Sequence, residues 1–386
     1  MKMTPPHIQK RRVRLAMATA AQVVATSGRP SDRSDLEIRG AAAYPVREPA
    51  SGRAYTILRL ETKSGLVGYG ECTSISLREL EQVRQAVVGK SATAFEVLRR
   101  QLGRCVGAAV NVASLDLIGK FSNAPVYQVL GGPTRYKARA LAPLNGTSDA
   151  SLLVSMKRAQ AAGFRAVSVP LPPSVASNQG RGFVLAARKR LEALREAGGG
   201  MIELVLDAAG VLSPGDAANL ASEFETFHLL WLDEPCGAVQ MGTLRRLAEE
   251  KVTPIGFGRR IDEGGPFQDL LSEDAIDVLR PDVGLNGVTQ IRRMAAIAET
   301  YYVAVAPFHD GGPVSTAAAL HLAAAIPNFY IQQIPLPEAE EDRRMRAECT
   351  DGSVEVVTDG FAALPTGPGL GITVNERVLE KYVEHA

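Results

Sequence analysis

A chain of 386 residues with 46% hydrophobic content exceeds the size at which a single core usually stops growing, so one large domain with a smaller one is expected. With 43 Lys and Arg against 42 Asp and Glu, the net charge of +1 excludes a global field that would draw nucleic acid or an anionic membrane. No apolar run approaches the ~20 residues of a membrane helix, so the expected partner is a small molecule at a local site. The four cysteines, Cys72, Cys105, Cys236 and Cys349, lie far apart and form no CxxC, which argues against a zinc ribbon or disulfide scaffold and for buried thiols.

Residues 1–35 read as an N-terminal extension. Lys10, Arg11, Arg12 and Arg14 precede the apolar run LAMATAAQVVA, and a polar, breaker-rich SGRPSDRSD follows. That order is the order of an export signal of the twin-arginine type. Gln22 interrupts the run, and a disordered or short amphipathic extension accounts for the same residues. The expected location is cytoplasmic, with export as the alternative.

From residue 36 to 136 a small α+β unit is expected. AYTILRLETKSGLVGYGE reads as a hairpin turning at Lys63-Ser64-Gly65. LRELEQVRQAVV and AVNVASLDLIGKF carry apolar residues at helical spacing. Over 137–338 a second rhythm takes over, in which short Val, Ile and Leu runs alternate with helical stretches: RAVSVP, IELVLDA, LLWLDEP, TPIGFGRR, IDVLRPD and YVAVAPF are each followed by a helix. Ser213-Pro214 with Asp216 is a strong helix start. The fold class expected is α/β, a (β/α)7-8 TIM-type barrel with an α+β capping domain; an open doubly wound sheet is the alternative. NQGRGF, lacking a dinucleotide fingerprint, reads as a flexible loop.

Polar residues stand at the strand ends at intervals of roughly 25 residues, about one βα unit: Asp207, Asp233, Arg259, Asp282, then Phe308 with His309, and Gln333. In a barrel these converge on the C-terminal mouth, where barrel enzymes do chemistry. Glu234 is expected to brace its strand end.

These motifs resemble the mandelate racemase and muconate lactonizing enzyme group of the enolase superfamily, including its acid-sugar dehydratases. GLVGYGE and ASLDLIGKFSNAPVYQVLGG are similar to its capping-domain hairpin and the helix leading into its barrel. GFRAVSVP, VLDAAG, WLDEP, PIGFGRR, VLRPDVGLNG, VAPFHDGGPVSTAAALHLAAAIPNF and LPTGPGLGI follow its barrel motifs in order. The resemblance implies that residues 339–386 return to the capping domain and that the chain forms a homo-oligomer. It also implies a magnesium ion that binds a substrate carboxylate and stabilises the enediolate left when a base removes the α-proton.

Asp207 and Asp233 match two magnesium ligands, and Arg259 falls on the third. A guanidinium has no lone pair to donate, so magnesium is expected to be lost or weakened, with Arg259 available to bind substrate instead. If Arg259 points outward, Asp262 or Glu263 is a substitute ligand. Ser168 and Pro170 stand where the family places two lysine bases. Asp282 matches the aspartate that activates a histidine, while ungapped alignment puts Phe308 at the histidine and His309 one position later; a one-residue shift would return His309 to the mouth as general base. Gln333 replaces a proton-donating glutamate. The candidate catalytic residues are therefore His309, Asp282, Gln333 and Ser168. Two functions follow: α-proton abstraction from a hydroxy acid or acid sugar, with dehydration or racemisation, or a noncatalytic relative that binds a small carboxylate. Arg47 and Arg53 in the capping loops are candidates to meet an acidic ligand.

Overall fold

The computed structural model describes residues 34–173, 179–237, 240–250, 253–351 and 354–383, and these described residues cluster as one compact unit. The basic N-terminal stretch lies outside the described residues.

Three antiparallel strands open the capping domain: β1 (Ile38–Arg47), β2 (Ala54–Thr62) and β3 (Val67–Cys72), in the order β1-β2-β3. Ser76 and Glu79 form a reciprocal capping box that starts helix Leu77–Val87, satisfying backbone donors the helix cannot satisfy itself. Helix Arg104–Phe121 lies across β3, and both bury apolar faces in a core with Ile38, Leu58, Val83 and Leu117.

The barrel runs through β4 (Lys137–Pro143), β5 (Ala166–Pro170), β6 (Glu203–Asp207), β7 (Trp231–Asp233), β8 (Ile255–Phe257), β9 (Val278–Leu279), β10 (Ala304–Val305) and β11 (Gln332–Gln333). Neighbours from β4 to β10 pair in parallel and β11 pairs with β4, while Val305 bridges Phe329 to close the last gap. Seven strands are followed by a helix on the outer face before β11, so the architecture is a (β/α)7β barrel with the α+β cap. The doubly wound alternative is set aside by this closure. Ser213 caps helix Pro214–Glu223 as its sequence anticipates. In NQGRGF, residue 178 lies outside the described residues, and Gly180–Phe183 form the first turn of helix Gly180–Gly198 instead of a loop.

After β11 the chain forms helix Glu340–Cys349, the hairpin β12 (Val357–Thr358) and β13 (Phe361–Ala363), and helix Glu376–Tyr382. β13 adds antiparallel to β4, while Glu376 accepts from Tyr44, Arg59 and Tyr69 of the cap and Asp342 accepts the amides of Ala50 and Ser51. The C-terminal segment thus binds both parts of the molecule.

Candidate functional site

Side chains alternate along a strand, so every second residue faces the barrel interior. Ala166, Val205, Trp231, Val278, Ala306 and Ile331 form one inner apolar cluster. Two residues further on, toward the mouth, the same alternation presents Ser168, Asp207, Asp233, Arg280, Phe308 and Gln333. That polar layer is the candidate site. The register places Asp207 directly beside Asp233, and Arg259 enters from the loop beyond β8, after Gly258 turns the chain at a φ of 127°.

Arg259 points inward. Its Nη2 donates to Asp207 Oδ2 at 2.8 Å and to Asp233 Oδ2, and its guanidinium stacks over the Phe308 ring, 4.4 Å from the centroid. Its Nε is buried with no partner. Arg280, fully buried, donates from Nε to both oxygens of Asp233 at 3.2 Å, from Nη1 to Ala306 O at 2.7 Å and from Nη2 to Gln333 Oε1 at 2.9 Å. Burial alone would raise the Asp233 pKa, but Arg280 and Arg259 hold it below its ordinary value. Burial likewise disfavours charge on Arg259, and Asp233 with Asp207 overcomes it, keeping the guanidinium charged. Two carboxylates and two guanidiniums leave this layer neutral.

Glu234 braces its strand end: Oε1 accepts the amides of Gly258 at 2.7 Å and Arg259 at 2.9 Å. Burial, then the charge of Asp233, pushes its pKa up to about 7. Asp282 caps helix Val283–Glu299 through the Gly284 amide, and burial raises its pKa to about 7 against that hydrogen bond. Ser168 is buried in β5 with its carbonyl bound to Leu144 N.

Two expectations are corrected, for His309 and Gln333, and the condition on which Asp262 or Glu263 would serve as a ligand, an outward Arg259, is not met. His309 is not paired with Asp282, because strand alternation puts Phe308 in the mouth and turns His309 to the outside of the barrel wall. There its ring is buried, with Nε2 3.4 Å from Thr316 Oγ1 and Nδ1 unpartnered; burial lowers its pKa to about 3, Glu355 opposing and Arg346 and Arg53 adding to the drop. Gln333 is committed to Arg280 and to the His309 carbonyl. Asp262 and Glu263 do not replace a ligand: Asp262 accepts the Gly264 amide and Glu263 pairs with Arg99 and Arg293. In the cap, Arg47 binds the Gly52 carbonyl and Arg53 pairs with Asp310 and Glu48.

Arg280 is the residue sequence reasoning missed. Its signal in the sequence is the arginine of VLRPD, two places before Asp282.

As arranged, these residues do not fit magnesium. The facing oxygens of Asp207 and Asp233 are taken up by Arg259, and among the described residues no group of three or more His, Cys, Asp or Glu side chains is placed to hold an ion.

The N-terminal domain model of the mandelate racemase / muconate lactonizing enzyme family matches residues 46–131, and the enolase C-terminal domain-like model matches 152–378. A D-galactonate dehydratase family member of Streptomyces bingchenggensis is 28% identical, over 92% of this chain and 95% of its own length. D-galactonate dehydratase of Ralstonia pickettii is also 28% identical, over 86% and 91%. The solved mandelate racemase/muconate lactonizing enzyme-like protein of Roseovarius sp. superposes with a TM-score of 0.80 at 25% identity, covering 91% of this chain and 96% of that one. With both halves matched and the barrel closed around the expected strand ends, the chain belongs to the mandelate racemase / muconate lactonizing enzyme group of the enolase superfamily.

Proposed function

We propose that the barrel mouth binds a small carboxylate, of the sugar-acid or hydroxy-acid class its dehydratase relatives suggest, on Arg259 in place of a metal, and that the inherited metal-assisted proton abstraction is not carried out. The observation that carries this reading is the bond of Arg259 to both Asp207 and Asp233. A guanidinium spreads one charge over a plane and polarises an oxygen less than a compact dication. It still offers an unspent Nε–H, a buried donor that costs about 1–3 kcal/mol unless an acceptor meets it. A ligand carboxylate is such an acceptor. The proton-handling groups of the inherited reaction are also altered, since His309 is a weak base outside the mouth and Gln333 has no proton to transfer.

A metal-free enzyme is the second reading. It is favoured by Asp282, whose carboxyl near 7 is suited to taking a proton at neutral pH.

Calorimetric titration of metal-free protein tests the choice. The native chain is expected to bind D-galactonate or a related sugar acid without metal, to give no heat with Mg²⁺ or Mn²⁺, and to lose the sugar acid in Arg259→Met. Millimolar or tighter Mn²⁺ binding, or chelator-sensitive dehydration of a sugar acid by the native chain, overturns the first reading. Chelator-insensitive turnover abolished in Asp282→Asn establishes the second.

A further inference from the structure

We propose that Cys72 and Cys105 are a peroxide-responsive thiol pair that closes a reversible disulfide between the end of β3 and the first turn of helix Arg104–Phe121.

The fold brings them together by register. A Cβ on Gly68 would lie 2.3 Å from Ala113 O, and one on Gly70 would lie 1.9 Å from Ala109 O. Only glycine permits that approach of strand to helix. Each step of two residues along β3 therefore corresponds to four residues back along the helix, about 6.8 Å against about 6 Å. One more step lands on Cys72 and Cys105. The residue that follows Cys72, Thr73, meets the Cys105 sulfur directly, and Cys72 Sγ reaches the Ser74 carbonyl at 3.5 Å.

The two thiols sit in unlike surroundings. Cys105 is half-buried in the first turn of an 18-residue helix, at the positive end of its dipole, which favours a thiolate. Thr73 Oγ1 lies 3.2 Å from its Sγ. The hydrogen bond from Cys72, helped by Thr73 against the cost of burial, lowers its pKa to about 6. Cys72 is buried and its thiol is held in the protonated form. Cys236 and Cys349 are buried with thiols pushed up to about 12 and are inert by comparison.

This is the division of labour of an attacking and a resolving thiol. The Cys105 thiolate attacks a hydroperoxide, taking one oxygen to become a sulfenic acid while the other oxygen leaves as water or an alcohol with a proton from solvent. Cys72 then attacks the sulfenic sulfur, forming the S–S bond and expelling a second water that carries its own proton. A thiol reductant reverses the bond.

The test uses the full chain, reduced and then exposed to one equivalent of hydrogen peroxide at pH 7, alkylated and mapped as non-reduced peptides. The expected result is a single linked pair, Cys72 to Cys105, two hydrogens lighter and released by dithiothreitol. Cys72→Ser, checked for native circular dichroism, is expected to leave a sulfenic acid on Cys105 that a 1,3-dione traps, and Cys105→Ser to abolish both products. Recovery of both thiols still alkylatable, oxidation of Cys105 to sulfinic acid beside a free Cys72, or linkage through Cys236 or Cys349 in the native chain overturns the proposal, independently of how either variant folds.

Discussion

Arg280 and Asp233 face each other with both side chains fully buried, the guanidinium Nε 3.2 Å from each carboxylate oxygen. Neither charge tolerates this position alone, because a buried ion left without its partner costs several kcal/mol. Arg259 adds a second cation, but its side chain and that of Asp207 keep 15% and 23% exposure, so water shares the charge there. Arg280→Met is accordingly expected to cost about 3–5 kcal/mol of stability and Arg259→Met roughly 1–3 kcal/mol, from urea unfolding. The double change Arg280→Met with Asp233→Leu should recover much of the first loss. A neutral result for Arg280→Met would show that the pair contributes nothing to holding the mouth.

Asp282 ties stability to pH in a defined direction. Its carboxyl titrates near 7 in the folded chain and near ~3.9 when unfolded, so the folded state binds more protons between those values and loses stability as pH rises through them. Asparagine keeps the capping acceptor for the Gly284 amide and removes the charge. Asp282→Asn should therefore gain about 1–3 kcal/mol on the native chain between pH 5 and pH 8. A constant difference across that range would place the carboxyl in an ordinary, solvated setting. A substitution that stabilises a fold this way marks a group retained for something other than stability.

Much of the barrel is legible in the chain because each strand is a short β-branched or apolar run followed by a helix with its own start signals, as at Ser213-Pro214. Asp207, Asp233 and Arg259 are legible for the same reason: each follows the last apolar residue of its run. Phase is not legible where the run gives out early. β9 and β10 have two paired residues each, and which of Arg280, Asp282, Phe308 and His309 faces inward depends on alternation counted from Val278 and Ala306, deep in the barrel. The surroundings of His309 also come from Arg346 and Glu355, which a sequence window around it never contains. The Cys72 and Cys105 contact escapes a sequence reading because it depends on two glycines that let a helix approach a strand.

His309 makes the opposite pH prediction to Asp282. Its imidazole is held neutral to about pH 3 when folded, whereas an exposed histidine titrates near ~6.5, so the unfolded state binds the extra proton as pH falls and stability drops below about 6.5. From pH 7 to pH 5 this one ring should remove about 2 kcal/mol. His309→Asn should cancel that loss, measured as a flatter urea midpoint against pH, while leaving the affinity for a carboxylate ligand at the mouth unchanged. If the variant instead weakens the ligand and leaves the pH slope alone, the ring acts in the mouth.

Arg346 gathers three distant parts of the chain. Buried in helix Glu340–Cys349, it pairs with Glu48 at the end of the first cap strand and with both oxygens of Glu355, and it donates to the Gly311 carbonyl at 3.0 Å in the loop that leaves β10. Thr316 of the following helix completes the cluster by donating to Glu355 at 2.7 Å. Glu71, at the end of β3, takes the amides of Gly312 and Ser315 on the other side of the same loop. The loop carrying Phe308 into the mouth is thus clamped between cap and C-terminal segment by groups of which Arg346, Glu48 and Glu71 are fully buried and Glu355 is half-buried. Arg346→Met, close in volume but without donors, leaves buried Glu48 with only Ser51 and the long Arg53 contact, and half-buried Glu355 with Thr316 alone, and a loss of about 2–5 kcal/mol follows. Lysine is not expected to rescue it, since one ammonium cannot reproduce a planar fork that meets two carboxylates and a carbonyl at once. The measurement is the urea midpoint of both variants with limited proteolysis of the 340–383 segment. Cleavage there should precede global unfolding in Arg346→Met. Unchanged proteolysis would mean that the Glu376 and Asp342 contacts hold the segment without the clamp.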